Sequence, residues 1–184
     1  MAGVPGRVRG PEIARRLPPP TNADLDLFEA EAGVKLSAGY RAFAQVFGPG
    51  SLVLGRREVF IKVPGCADPA WDLRGAIERN RRLKNDWMLS ERARRMIIFG
   101  DDGMGNEFGW DPLETTDPSA PEFAIFALYR RAEEGTKLAN TFRGFIDLCL
   151  ASGHYRSEEF EGEPAGEGLE LSKVFQRARP MSRG

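Results

Sequence analysis

Ile97-Ile98-Phe99-Gly100-Asp101-Asp102-Gly103-Met104-Gly105-Asn106-Glu107-Phe108-Gly109-Trp110-Asp111-Pro112 is the stretch on which the fold turns. A short apolar run enters a Gly-rich acidic turn and leaves it as an alternating segment. Met96 to Phe99 predicts one strand and Glu107 to Trp110 a second, so the stretch reads as a β-hairpin with carboxylates at its tip.

The hairpin imitates several site motifs and meets the requirements of none. Gly103, Gly105 and Gly109 approach a dinucleotide fingerprint, but that motif needs a helix opening directly after the glycines to face the pyrophosphate. Here a strand and Pro112 follow. No Lys-Ser or Lys-Thr pair follows a glycine loop, so there is no P-loop. A calcium loop of the EF-hand type needs oxygen ligands at its first, third and fifth positions. Starting at Asp101 the third and fifth are Gly103 and Gly105; starting at Asp102 the third is Met104. Glycoside hydrolysis needs two carboxylates separated across a sugar-sized cleft, which adjacent acids on a turn do not supply. What remains is an acidic turn with structural glycines, and no metal or cofactor is expected.

Outward from the hairpin the chain divides into recognisable pieces. Thr21 is a helix N-cap with Asp24 in the first turn, and Leu25, Phe28 and Ala32 recur on one face. Gly33 suits the left-handed residue that ends a helix. Ser37 caps a second helix with Tyr40, Phe43 and Phe47 on one side, stopped by Gly48-Pro49-Gly50. Ser51 to Leu54 and Val59 to Val63 predict short strands around a charged turn. Asp68-Pro69 opens a polar helix running to about Trp87, with Leu73 and Ile77 on its apolar side. Pro112 to Pro121 reads as a loop. Phe123 to Tyr129 is apolar on both faces, as in an inner strand. Asn140 or Thr141 caps a last helix bearing Phe142, Phe145, Ile146 and Cys149, and Gly153 ends it. Strands are grouped centrally rather than alternating with helices, which predicts α+β: one domain, a central mixed or antiparallel sheet, helices packed against it.

Residues 1–20 predict a flexible tail, 21–155 the domain, and 156–184 a charged extension, acidic and then basic. In that extension Leu169, Leu171, Val174 and Phe175 form one candidate docking segment.

With 184 residues, 41% hydrophobic and 29% charged, the chain has the composition of a soluble globular domain large enough to bury a core. A net charge of -1 excludes a globally basic nucleic-acid binder. The arginines from Arg74 to Arg95 are interleaved with Asp72, Glu78, Asp86 and Glu91, the mark of a solvated face rather than a phosphate-binding one. The lone histidine, His154, would have to serve any nucleophile–His–acid triad, and a cation near a helix C-terminus is its ordinary explanation. Cys66 and Cys149 have no metal or CxxC spacing and read as reduced thiols. No secretory h-region or membrane-length apolar run is present, so the expected location is cytoplasmic.

Several segments, in order, resemble the SUKH superfamily of Smi/Knr-type domains. Leu17-Pro18-Pro19-Pro20-Thr21 precedes a helix, and Val34-Lys35-Leu36-Ser37-Ala38-Gly39-Tyr40-Arg41-Ala42-Phe43 is similar to the family's helix pair. Phe47-Gly48-Pro49-Gly50-Ser51-Leu52 stands where the family has an Asn-Gly-Gly turn. The hairpin resembles its "apolar strand, Gly-Asp, Gly, aromatic, Asp" centre, and Leu138-Ala139-Asn140-Thr141-Phe142-Arg143-Gly144-Phe145-Ile146 its closing helix. The resemblance spans residues 17–152 and implies an α+β fold without enzymatic activity. Bacterial members are mostly immunity proteins that bind a cognate toxin, often a nuclease; fungal members are scaffolds in cell-wall assembly and signalling. On that expectation the partner is a cognate protein toxin or, in the alternative scaffold or regulatory role, another protein, with no nucleic acid or membrane expected. Asp101, Asp102, Glu107 and Asp111 would face the toxin's basic surface, and Trp110 would anchor it.

Overall fold

The hairpin forms the middle of a seven-stranded sheet. The computed structural model describes residues 16–54, 57–83, 89–117, 119–129, 133–152 and 170–180. The strands are β1 (Gly50–Leu54), β2 (Arg57–Ile61), β3 (Ile97–Asp101), β4 (Glu107–Asp117), β5 (Glu122–Leu128), β6 (Thr136–Ala139) and β7 (Phe175–Arg177). Their spatial order is β6-β5-β4-β3-β2-β1-β7, and every ladder is antiparallel. The sheet is thus a meander from β1 to β6, with β7 returning from the C-terminal region to flank β1. The expected α+β class and its helix-covered sheet hold.

Local chemistry explains the first two helices. In α1 (Asn22–Ala32), Thr21 Oγ1 accepts from the Asp24 N–H at 3.2 Å and Asp24 Oδ2 accepts from the Thr21 N–H at 2.8 Å, a reciprocal capping box. Gly33 closes it at φ 67°. Ser37 caps α2 (Ala38–Phe47), and Glu122 at the head of β5 reinforces that end by accepting from Ser37 Oγ at 2.7 Å and from the Gly39 N–H. A carboxylate there meets the positive end of the helix dipole.

Strand alternation sorts the core into two faces. Phe99, Phe108 and Trp110 point to the face covered by α2 and α5 (Phe142–Ser152), where Tyr40, Phe142 and Phe145 meet them at centroid distances of 5.2–6.0 Å. Glu107 and Asp111 point to the other face. There α3 (Arg74–Leu83) brings Arg79 to Glu107, and α4 (Glu91–Arg95) brings Arg95 to Asp111.

Three expectations are corrected. The helix expected from Asp68 to Trp87 is a 3-10 turn (Pro69–Trp71), then α3, with α4 further on; Trp87 lies outside the described residues. The break occurs because Val63 donates to the Trp71 carbonyl at 2.9 Å and accepts from the Leu73 N–H at 3.1 Å, holding that stretch extended beside it. The loop expected from Pro112 is strand as far as Asp117. Pairing with β3 ends at Trp110 and the β5 register shifts before Thr115, so the missing Pro112 N–H falls in a bulge where the ladder does not need it. Finally, the chain beyond the expected domain joins it: α6 (Leu171–Val174) and β7 dock on β1, and Leu17 of the expected tail is buried, its N–H donating to the Ala178 carbonyl at 2.9 Å. The docking segment read at Leu171, Val174 and Phe175 therefore docks within the domain, Leu171 and Val174 packing from α6 against the core and Phe175 opening β7; Leu169 lies outside the described residues.

Candidate functional site

The turn between β3 and β4 is built by its own acids. Asp102 Oδ1 accepts from the N–H groups of Met104 at 2.9 Å and Asn106 at 3.0 Å, while Oδ2 accepts from Asn106 Nδ2 at 2.6 Å. Asp101 Oδ1 accepts from the Gly103 N–H at 3.0 Å. Such side-chain-to-backbone bonds replace ladder bonds inside a tight loop. Gly103 and Gly105 sit at φ 67° and 99°, which only glycine adopts without strain. Asp102 is thus a buried brace of the turn rather than a surface contact.

Trp110 and Asp111 also prove to be interior. Trp110 has no exposed surface; it stacks on Phe99 at 5.6 Å and lies 5.3 Å from Tyr40. Asp111 has none either, and accepts from Arg95 Nη2 at 2.7 Å and from the Leu113 N–H at 3.0 Å. The expected roles of anchor and of charged partner contact at these positions are corrected: α2 and α5 cover one and α4 the other. Alternation along β4 separates the two faces, but nothing in the sequence says that a helix lies over each.

Asp101 and Glu107 keep open surface, 29% and 24% of their side chains. They are directly opposite in the β3–β4 register. Each is held by a cation, Asp101 by Lys62 at 3.0 Å and Glu107 by Arg79. Burial pushes the Glu107 carboxyl above the usual range even though Arg79 and Lys62 pull it down, and burial likewise lowers Arg79. Met104 stands beside the pair at the hairpin tip, 70% exposed. Sequence reasoning missed Lys62 and Arg79, which come from separate elements.

Among the described residues no group of His, Cys, Asp and Glu is placed to hold a metal ion, and no helix is long and apolar enough to cross a membrane. Cys149 is buried and Cys66 partly so; both thiols are free, and burial raises both. His154 lies outside the described residues.

A hairpin braced by its own Asp, an antiparallel meander and the aromatic first turns of the closing helix fall within residues 19–148, which match the SMI1 / KNR4 family (SUKH-1). The chain belongs to that family. No curated protein matches it. As a SUKH-1 domain it carries the α+β fold and a general expectation of protein–protein interaction. The match ends at residue 148, before β7.

Proposed function

We propose that this chain is a non-enzymatic immunity protein that neutralises a cognate toxin, often a nuclease in such systems, by binding and occluding it in the cytoplasm. The observation that carries the reading is the Asp101–Glu107 pair, partly exposed on one rim of a SUKH-1 sheet beside Met104. Each carboxylate is already paired with a cation, so the cluster offers a fixed pattern of alternating charge for a complementary surface to match rather than a net negative field. Glu107 is already partly desolvated, so covering it removes less hydration than covering a free side chain. Met104 supplies an adaptable apolar contact. Asp102, Trp110 and Asp111 serve this surface by holding the hairpin.

The test is co-expression with the toxin encoded beside this gene, scored by growth. Protection by the native chain and its loss in Asp101→Lys with Met104→Glu is the expected result. If no neighbouring product is toxic, the immunity reading fails. A pull-down that instead recovers a cell-wall or signalling protein would favour the scaffold role of other family members.

A further inference from the structure

Among the described residues no helix covers the second sheet face at the β7–β1–β2 end, and a cleft of about 450 Å³ opens there. That lies within the range of about 300–1,000 Å³ typical of ligand pockets. Ser51, Glu58 and Gln176 form its polar floor, Phe60 and Trp71 one wall, and Arg16 and Arg179 lie at its edge. Both ends of the described chain are needed to make it. Leu17, next to Arg16, is tied to Ala178, next to Arg179, by the 2.9 Å backbone bond.

Three properties point to a ligand. Arg16 and Arg179 are exposed, and among the described residues no carboxylate pairs with either. Glu58, the carboxylate in the floor, is occupied on one side by Ser51 Oγ and retains acceptor capacity. Phe60 and Trp71 form an edge-to-face pair at 5.9 Å, both partly exposed. Cations at the rim, an acceptor in the floor and an aromatic wall make a mixed demand.

We propose that this cleft binds an acidic peptide segment of a protein partner, bearing carboxylates for Arg16 and Arg179 and an apolar side chain for the Phe60–Trp71 wall. A peptide brings main-chain N–H donors that satisfy Glu58 and Gln176. A nucleic acid carries an anion on every backbone unit, so one would fall against Glu58, whereas a peptide can keep its carboxylates at the Arg16 and Arg179 edge and turn main-chain N–H groups to the floor. The cleft borders the Asp101–Glu107 surface at Phe60, which pairs with Asp101, but differs from it in having cations at its edge that no carboxylate of the described residues balances, and it does not depend on the partner being a toxin.

The experiment is fluorescence anisotropy of a labelled Asp-Glu-Phe-Asp-Glu peptide titrated with the full chain at low salt. Saturable binding is expected, weakened at least ten-fold by Arg16→Glu with Arg179→Glu and restored by the corresponding Lys pair. Trp71→Phe tests the wall, and circular dichroism checks that the variants fold. Asp101→Lys should leave affinity unchanged or raise it. The proposal is overturned by an absence of saturable binding, by equal affinity in the Arg-reversed chain, or by a single-stranded DNA oligonucleotide of matched charge displacing the peptide at lower concentration.

Discussion

The Asp111 carboxylate has no exposed surface and meets the Arg95 guanidinium at 2.7 Å, while 39% of the Arg95 side chain remains open to solvent. The pair is therefore asymmetric: one charge depends on the other for its solvation, and the reverse is not true. Arg95→Ala strands a buried carboxylate and is expected to cost about 3–5 kcal/mol. Asp111→Asn leaves Arg95 free to hydrate and keeps an acceptor for the Leu113 N–H, and should cost about 1–2 kcal/mol. Urea midpoints at constant slope measure both. Equal losses in the two variants would contradict the asymmetry.

Trp110 is expected to matter for stability, not for recognition. It touches Tyr40, Phe99 and Phe123, and its Nε1 has no hydrogen-bond partner, so only packing is lost on substitution. Trp110→Ala should destabilise by about 3–5 kcal/mol, as large core truncations do. Trp110→Phe should cost less than half of that and leave partner binding unchanged in the folded fraction. Thermal unfolding paired with a binding assay separates the two effects.

These two residues show where sequence reasoning stops. Capping signals are local, so Thr21, Gly33 and Ser37 gave helix ends directly, and the two-sided apolar run at Phe123 announced an inner strand. Pro112 argued for a loop because the bulge that accommodates it is a property of paired strands. Thr136–Ala139 went unread because a four-residue edge strand with two exposed positions carries no apolar alternation. The alternation of Glu107 to Asp111 was visible, yet which face is open depends on where α3, α4 and α5 come to rest. Hence Asp101 and Glu107 kept surface while Trp110 and Asp111 did not, and Lys62 and Arg79 could not be foreseen.

Glu29 links stability to pH. Burial pushes its carboxyl up, but Lys35 Nζ at 2.7 Å, the Leu36 N–H at 3.1 Å and Arg41 Nη1 at 3.1 Å outweigh that and hold it below the ordinary value. A folded-state value below the unfolded one means that the unfolded chain binds the proton more readily. The stabilisation is present above about pH 4.5 and disappears as pH falls through the folded value. Glu29→Gln should therefore lose about 2 kcal/mol at pH 7, as expected for hydrogen bonds to a charged group. The gap from the native chain should narrow steadily below pH 4.5. Guanidinium unfolding measured at pH 7 and at pH 3.5 decides it; a gap that widens on acidification would give the opposite sign.

Gly50 controls whether the C-terminal strand joins the sheet. A Cβ at that position would lie 2.3 Å from the Gln176 carbonyl oxygen and 2.5 Å from the Phe175 ring, closer than any side chain tolerates. β7 has three residues and, among the described residues, pairs only with β1, so it has little with which to resist displacement. It is held by Phe175, which meets Phe43 at 5.3 Å and Phe47 at 5.4 Å, and by Arg177, whose Nε and Nη2 donate to the Phe47 and Val46 carbonyls at the end of α2. Gly50→Val should release residues 175–177 while the β1–β5 meander, with its own core, stays folded. The expected readout is faster amide exchange and earlier proteolytic cutting around β7, with protection retained at Phe99 and Ile125. The same release should dismantle the Arg16–Arg179 cleft and weaken binding of the acidic peptide, while contacts at Asp101 and Glu107 persist. Global loss of protection in Gly50→Val would instead make β7 an integral part of the folding unit, and unaltered exchange at residues 175–177 would show that β1 yields locally to admit the side chain.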